Sequence, residues 1–166
     1  LFRSVKRPPL PKSAHEHPID AFVFGEHKPA PQASPMALLR RVYLDLTGLP
    51  PTLAEQDAAY RSNGSHKTYS AVIDDLLTRP EYGERWARHW LDVVRYADAL
   101  DSRGAGAVGD ILDAWRYRDW VVDSLNNDMP YDEFLKRQLA ADRMPGSDDP
   151  AQLAAMGYLT LGRRFL

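Results

Sequence analysis

The chain contains no cysteine. That absence excludes disulfides, thiol catalysis, cysteine-ligated zinc and thioether attachment of haem within these residues. It leaves the compartment open, because a cysteine-free chain suits either redox environment. Long apolar runs are missing too, and nothing approaches the roughly 18 consecutive residues of a membrane span. No signal-peptide pattern opens the chain, although "LFRSVKRPPLPK" reads like the interior of a longer protein whose leader was removed upstream. An excess of one charge is also lacking. Against 21 Lys and Arg stand 23 Asp and Glu, a formal net charge of −2, which gives no drive towards nucleic acid or anionic membranes. Finally, no segment alternates apolar and polar residues over strand length, and β-branched residues are sparse.

What is present is helical punctuation. Residues 1–17, with Pro8, Pro9, Pro11 and basic neighbours, read as an extended arm or linker, and Pro18 opens a short helix. In "SPMALLRRVYLDLTGLPP", Ser34 caps, Pro35 takes the first helical position, and Gly48 with Pro50 and Pro51 ends the helix. Thr52 and Glu55 have capping-box spacing for a helix near 52–61. "TYSAVIDDLLTRP" turns Val72, Ile73, Leu76 and Leu77 inward. A helix over 81–99 follows, then the glycine-bearing stretch 101–110, expected to be a mobile loop cut by proteases near Arg103. Helices in "DILDAWRYRDWVVDSLNND" and "MPYDEFLKRQLAAD", and one started by Asp149 and Pro150, complete the chain. The expected fold is all-α: one compact domain of about seven or eight helices over 18–166, preceded by the arm.

The segment "GERWARHWLDVVRYAD" poses the sharpest question, because it mixes two tryptophans with many charges. Trp86, Trp90, Val93 and Ala97 form one stripe; Arg85, His89, Asp92 and Tyr96 form the next. The tryptophans are therefore expected in the core, with Trp115 joining them, and the polar row at its edge. In the next aromatic helix Ile111, Trp115, Val122 and Leu125 make a stripe interrupted by Arg118, for which Asp92 and Asp98 are natural partners. The candidate network is Arg85, His89, Asp92, Arg95, Tyr96, Asp98, Arg116, Arg118 and Asp119, and such Arg/Asp/Trp networks are most often structural. His89 is expected to be a hydrogen-bonded residue at the edge of the core, held by Asp92. His15-Glu16-His17 looks metal-like but lacks a third rigid ligand. The Gly104–Gly109 loop lacks a P-loop ending, and Asp98/Asp101 stand as acids without a pocket. No residue is nominated as catalytic, cofactor-binding or metal-ligating.

The phrases "PIDAFV", "LLRRVYLDLTGLPPT", "YGERWARHWLDVVRYAD", "AWRYRDWVVDSLNNDMPYDEFLKRQLAAD" and "MGYLTLGRRF" follow one another in this order. Together they resemble the planctomycete cytochrome-associated domain family, over about residues 18–165. That family is a domain of unknown function from large, mostly exported proteins. In it a Cys-x-x-Cys-His segment, the pattern of covalent c-type haem attachment, follows the "LGRRF"-like stretch. The resemblance thus implies a domain continuing beyond Leu166, and it assigns no role to its signature residues. One departure is Asp113, where members often carry His or Asn. The resemblance implies an extracytoplasmic, periplasmic-type location and a helical module of a cytochrome c-like multidomain protein. Its expected work is electron transfer or scaffolding beside a haem c attached downstream, with no cofactor held by this chain. The expected partner is the downstream domain of the same polypeptide, and the redox partner is unspecified. The rival readings are a carbohydrate-active enzyme domain and a protein–protein interaction module using the proline-rich arm.

Overall fold

A computed structural model describes residues 6, 8–12, 17–24, 27–61, 66–98 and 113–160. The expectations for residues 101–110, for Asp101, for the Gly104–Gly109 loop and for His15-Glu16 lie outside the described residues. Contacts group the chain into two units, Leu1–Ser34 and Pro35–Leu166. The first holds an exposed proline-rich stretch over residues 8–12 and helix α1 (Pro18–Phe24). The second holds α2 (Pro35–Leu46), α3 (Leu53–Arg61), α4 (His66–Leu77), α5 (Pro80–Val93), α6 (Ala114–Asn126), α7 (Tyr131–Ala140) and α8 (Pro150–Leu153). Short 3₁₀ segments, Ala141–Arg143 and Ala154–Thr160, follow α7 and α8. The fold is all-α, and no strand occurs among the described residues.

The local rules operate where the sequence places them. Pro35 starts α2, and Gly48, at φ +75°, turns the chain out of it. The aliphatic stem of Arg85 crosses this turn so closely that a Cβ on Gly48 would lie 3.1 Å from Arg85 Cδ. The capping box forms in both directions: Thr52 N–H donates to Glu55 Oε2 at 2.7 Å, and Glu55 N–H donates to Thr52 Oγ1 at 3.3 Å. At α8, Asp149 Oδ1 accepts from Ala151 N–H at 2.9 Å, with Pro150 first in the helix.

Two apolar clusters form the interior of the second unit. Leu39, Tyr43 and Leu76 join α2 to α4, with Met36, Val42, Leu46, Ala59 and Val72 around them. The larger cluster joins α5, α6, α7 and the following 3₁₀ segments through Ala87, Tyr117, Trp120, Val121, Phe134, Ala141 and Ala155. Trp120 stacks on Phe134 with centroids 5.1 Å apart, and Trp90 meets the same ring edge-on at 5.0 Å.

The faces of the two aromatic helices differ from the expected ones. The expected stripe put Val93 inside, but Val93 is 74% exposed, and α5 buries Gly83 and Ala87 instead. Its helix also ends at Val93 rather than near residue 99. The stop is a Schellman closure: Tyr96 N–H donates to Leu91 C=O at 2.9 Å and Arg95 N–H to Asp92 C=O at 3.2 Å, with Arg95 at φ 57°. In α6 the buried face is Tyr117, Trp120, Val121 and Ser124, so Trp115 points outward and is 44% exposed. Trp120, not Trp115, is the core tryptophan of α6. Leu77, expected inside, lies at the surface, while Leu76 fills the interior.

Candidate functional site

The strongest cluster of interacting polar side chains from the candidate network lies where α5 ends and α6 runs past it. The Schellman turn redirects the chain at Arg95, so that Tyr96 sits against α6 with its ring 6.2 Å from that of Tyr117. Tyr96 O–H donates to Asp98 Oδ1 in a short hydrogen bond. The other oxygen of Asp98 pairs with Arg118 Nη1 at 3.4 Å, and Arg118 Nε donates to Asp119 Oδ1 at 3.1 Å. Burial of Tyr96, reinforced by the adjacent Asp98 carboxylate, pushes its phenol well above the usual tyrosine range. Of the nine candidate residues, the structure brings Tyr96, Asp98, Arg118 and Asp119 together.

The partner of Arg118 is Asp98, and the alternative, Asp92, is exposed on α5 with no side-chain bond among the described residues. Nor is Arg118 an arginine trapped in an apolar stripe: its side chain is 41% exposed, because α6 is rotated away from the expected setting. At that exposure each ion pair contributes no more than about 1 kcal/mol.

The rest of the candidate network is dispersed. Arg116 pairs with Asp113 at 2.9 Å and lies over the Trp115 ring at 4.9 Å, a surface cation–π contact. His89 is exposed, and it makes no hydrogen bond to Asp92 or to any other described residue. It rests against Trp86, ring centroids 5.2 Å apart, and Trp86 continues to Tyr82 at 6.2 Å. The expected Asp92–His89 bond is thus replaced by an aromatic edge along α5. Arg95 serves through its backbone at the helix end. Arg85 packs on Gly48; its Nε and the Trp86 Nε1 are buried donors without partners among the described residues.

Two polar groupings escaped the sequence reading. The first is a knot inside the larger cluster. Gln138, 1% exposed, accepts from Tyr117 O–H at 2.6 Å and from Trp90 Nε1–H at 3.2 Å, and it donates to Phe134 C=O at 3.2 Å. Burial raises the Tyr117 phenol to about 12, with the Trp90 N–H bond opposing the shift. The signal was a glutamine on the Phe134–Ala141 face, at an apolar helical interval.

The second is a clamp on Arg79. Its guanidinium donates to Glu55 Oε1 at 2.8 Å and to Asp75 Oδ2 at 2.6 Å, and lies 5.6 Å from the centre of the Tyr43 ring. Partial burial alone would raise the Glu55 carboxyl. Hydrogen bonds from the Thr52 backbone and hydroxyl, and from Arg79, outweigh it and hold the group at about 2. Thr52 and Glu55 announced the cap, but nothing local announced its bond to a residue 24 positions away.

No group of three or more His, Asp or Glu side chains suited to a metal ion occurs among the described residues. Within Tyr96–Asp98–Arg118–Asp119, both oxygens of Asp98 are engaged, so the cluster orients side chains and leaves no free carboxylate pair.

The family model for "Protein of unknown function (DUF1549)", PSCyt2, matches residues 18–165. The chain belongs to this family. The matched span includes α5 and α6, and with them the Tyr96–Asp98–Arg118–Asp119 cluster and the Trp90–Tyr117 half of the buried knot. No curated protein and no solved structure matches the chain.

Proposed function

We propose that this member of the PSCyt2 family is a non-catalytic helical scaffold in an exported multidomain protein, set beside a c-type haem carried elsewhere on the polypeptide. The supporting observation is how the signature residues are used. Tyr96, Asp98, Arg118 and Asp119 bind one another, and Trp90 and Tyr117 lock the core through Gln138. Groups so engaged build a rigid body rather than a reaction site, and rigid positioning is what a neighbouring redox domain requires.

The chain's own residues do not fit covalent haem, since thioether attachment needs cysteine and there is none. The same domain has an interaction face to offer: Trp115 stands exposed under Arg116, a pairing typical of contact surfaces.

The test is an optical and metal-content measurement on the full-length exported protein, with and without the cysteines of a downstream Cys-x-x-Cys-His segment. The proposal expects a Soret band that vanishes when those cysteines are replaced and survives Asp98→Asn. Release of sugar products by a protein without a chromophore would overturn it in favour of a carbohydrate-active enzyme.

A further inference from the structure

We propose that the cleft between the first turns of α2 and the start of α3 binds small monocarboxylates with a compact apolar body. The cleft holds about 290 Å³ and is lined by Met36, Ala37, Arg40, Pro51 and Gln56, at the small end of ligand-sized cavities. Met36, Ala37 and Arg40 share one side of α2, and all three line the cleft. Across it stand buried Pro51 and the Gln56 side chain, whose Nε2 donates to Pro51 C=O at 2.9 Å. That bond fixes the wall and consumes one donor, leaving Gln56 Oε1 as an acceptor.

The chemistry follows from what is unmatched. Arg79, Arg116, Arg118 and Arg137 each hold a carboxylate. Arg40 is exposed and, like Arg95, forms no ion pair among the described residues, but it is the arginine that lines the cleft. A guanidinium has only donors to offer, arranged in a fork that matches carboxylate geometry. The remaining lining from Met36, Ala37 and Pro51 is apolar and rewards a ligand body without further polar groups. An ammonium group is repelled at Arg40, and a polyhydroxylated acid finds one acceptor, Gln56 Oε1, and leaves its other hydroxyls against Met36, Ala37 and Pro51. Neither feature belongs to the α5–α6 cluster, so this inference is independent of the scaffold reading.

The experiment titrates the whole ¹⁵N-labelled chain with sodium hexanoate, against hexan-1-ol and matched sodium chloride. Hexanoate is expected to move the amide signals of residues 36–40 and 51–56 saturably, with Kd of about 1 mM. Hexanol is expected to bind about tenfold more weakly, and Arg40→Gln to lose about the same factor for hexanoate. Arg40 is exposed, so this variant keeps its fold, and Ala37→Leu provides a second variant that fills the cleft and abolishes the response. Equal affinity for hexanol and hexanoate, an unchanged Arg40→Gln, or shifts that map elsewhere would each overturn the proposal.

Discussion

Gly83 and Asn126 meet where α5 and α6 come close: Gly83 N–H donates to Asn126 Oδ1 at 2.8 Å, and a Cβ on Gly83 would fall 2.5 Å from that same oxygen. The Asn126 amide also donates to Pro80 C=O at 3.1 Å, so one side chain at the end of α6 ties down the first turn of α5. By helix propensity alone Gly83→Ala should stabilise by about 1 kcal/mol. The contact reverses the sign, and the expected outcome is a loss of about 1–3 kcal/mol from overpacking. Asn126→Ala removes the clash with the bonds, so the double variant should be less destabilised than the sum of the singles. Urea denaturation of the four proteins measures this. A stabilised Gly83→Ala would show that the helices do not approach as described.

Gln138 anchors three elements at one point, and its replacement should be costlier than that of its partners. Gln138→Leu leaves Tyr117 O–H buried without its acceptor and Trp90 N–H with Tyr117 Oη alone, with an expected cost of about 2–3 kcal/mol. Tyr117→Phe removes its bond to Gln138 and the one it accepts from Trp90 Nε1–H at 3.0 Å, but leaves Trp90 bonded to Gln138, so about 1–2 kcal/mol is expected. Equal or reversed costs in equilibrium unfolding would contradict the knot.

Glu55 links stability to acid. Its carboxyl is held at about 2 in the fold, against an ordinary value of 4.5. A depressed folded value means that the stabilisation is complete above about pH 4.5 and is lost as pH falls towards 2. Glu55 and Arg79 are 26% and 33% exposed, which screens the pair and reduces the expected loss to roughly 1–2 kcal/mol. Glu55→Gln should be less stable at pH 7 and should show a flatter stability profile between pH 4.5 and 2. Parallel profiles for the two proteins would remove Glu55 from the acid response.

The capping boxes and helix stops were legible in the sequence because each is a local bargain: Pro35 and Gly48 around α2, Thr52 with Glu55, Asp149 with Pro150. Which face of a helix turns inward is decided elsewhere. On α5 the buried positions are the small ones, Gly83 and Ala87, because α6 comes so near that a large residue has no room. Hydrophobicity alone favoured Trp86 and Val93 for that place. The end of α5 was hidden because its left-handed closing residue is an arginine where a glycine would have marked it. In the candidate site, Asp98 was readable from charge and spacing only as one of two partners for Arg118, beside Asp92, whereas the Tyr96–Asp98, Arg79–Glu55 and Gln138–Tyr117 bonds depend on the turn after α5 and on tertiary contacts.

The tryptophans of α6 provide a direct test of its rotation. Trp120 is 7% exposed and stacks on Phe134, whereas Trp115 is 44% exposed under Arg116. Trp120→Ala should cost about 3–5 kcal/mol and Trp115→Ala less than about 1 kcal/mol. Equal losses in thermal or chemical unfolding would restore the rejected arrangement in which Trp115 belongs to the core.

Arg95 occupies a backbone conformation that suits glycine better, and it does so with an exposed side chain free of any ion pair among the described residues. A left-handed non-glycine residue costs about 1 kcal/mol, so Arg95→Gly should stabilise the isolated chain by up to about that amount. Asp128, at φ 47°, closes α6 in the same way, with Met129 N–H donating to Ser124 C=O at 2.9 Å. It serves as the internal control, and Asp128→Gly should gain similarly. The two substitutions should part company in the full-length protein if the Arg95 guanidinium meets the neighbouring domain that the scaffold reading requires. There Arg95→Gly should lower the melting temperature of the assembled protein, while Asp128→Gly should not. Calorimetry on both forms decides the matter. If Arg95→Gly stabilises the full-length protein as much as the isolated chain, Arg95 contributes only a helix end.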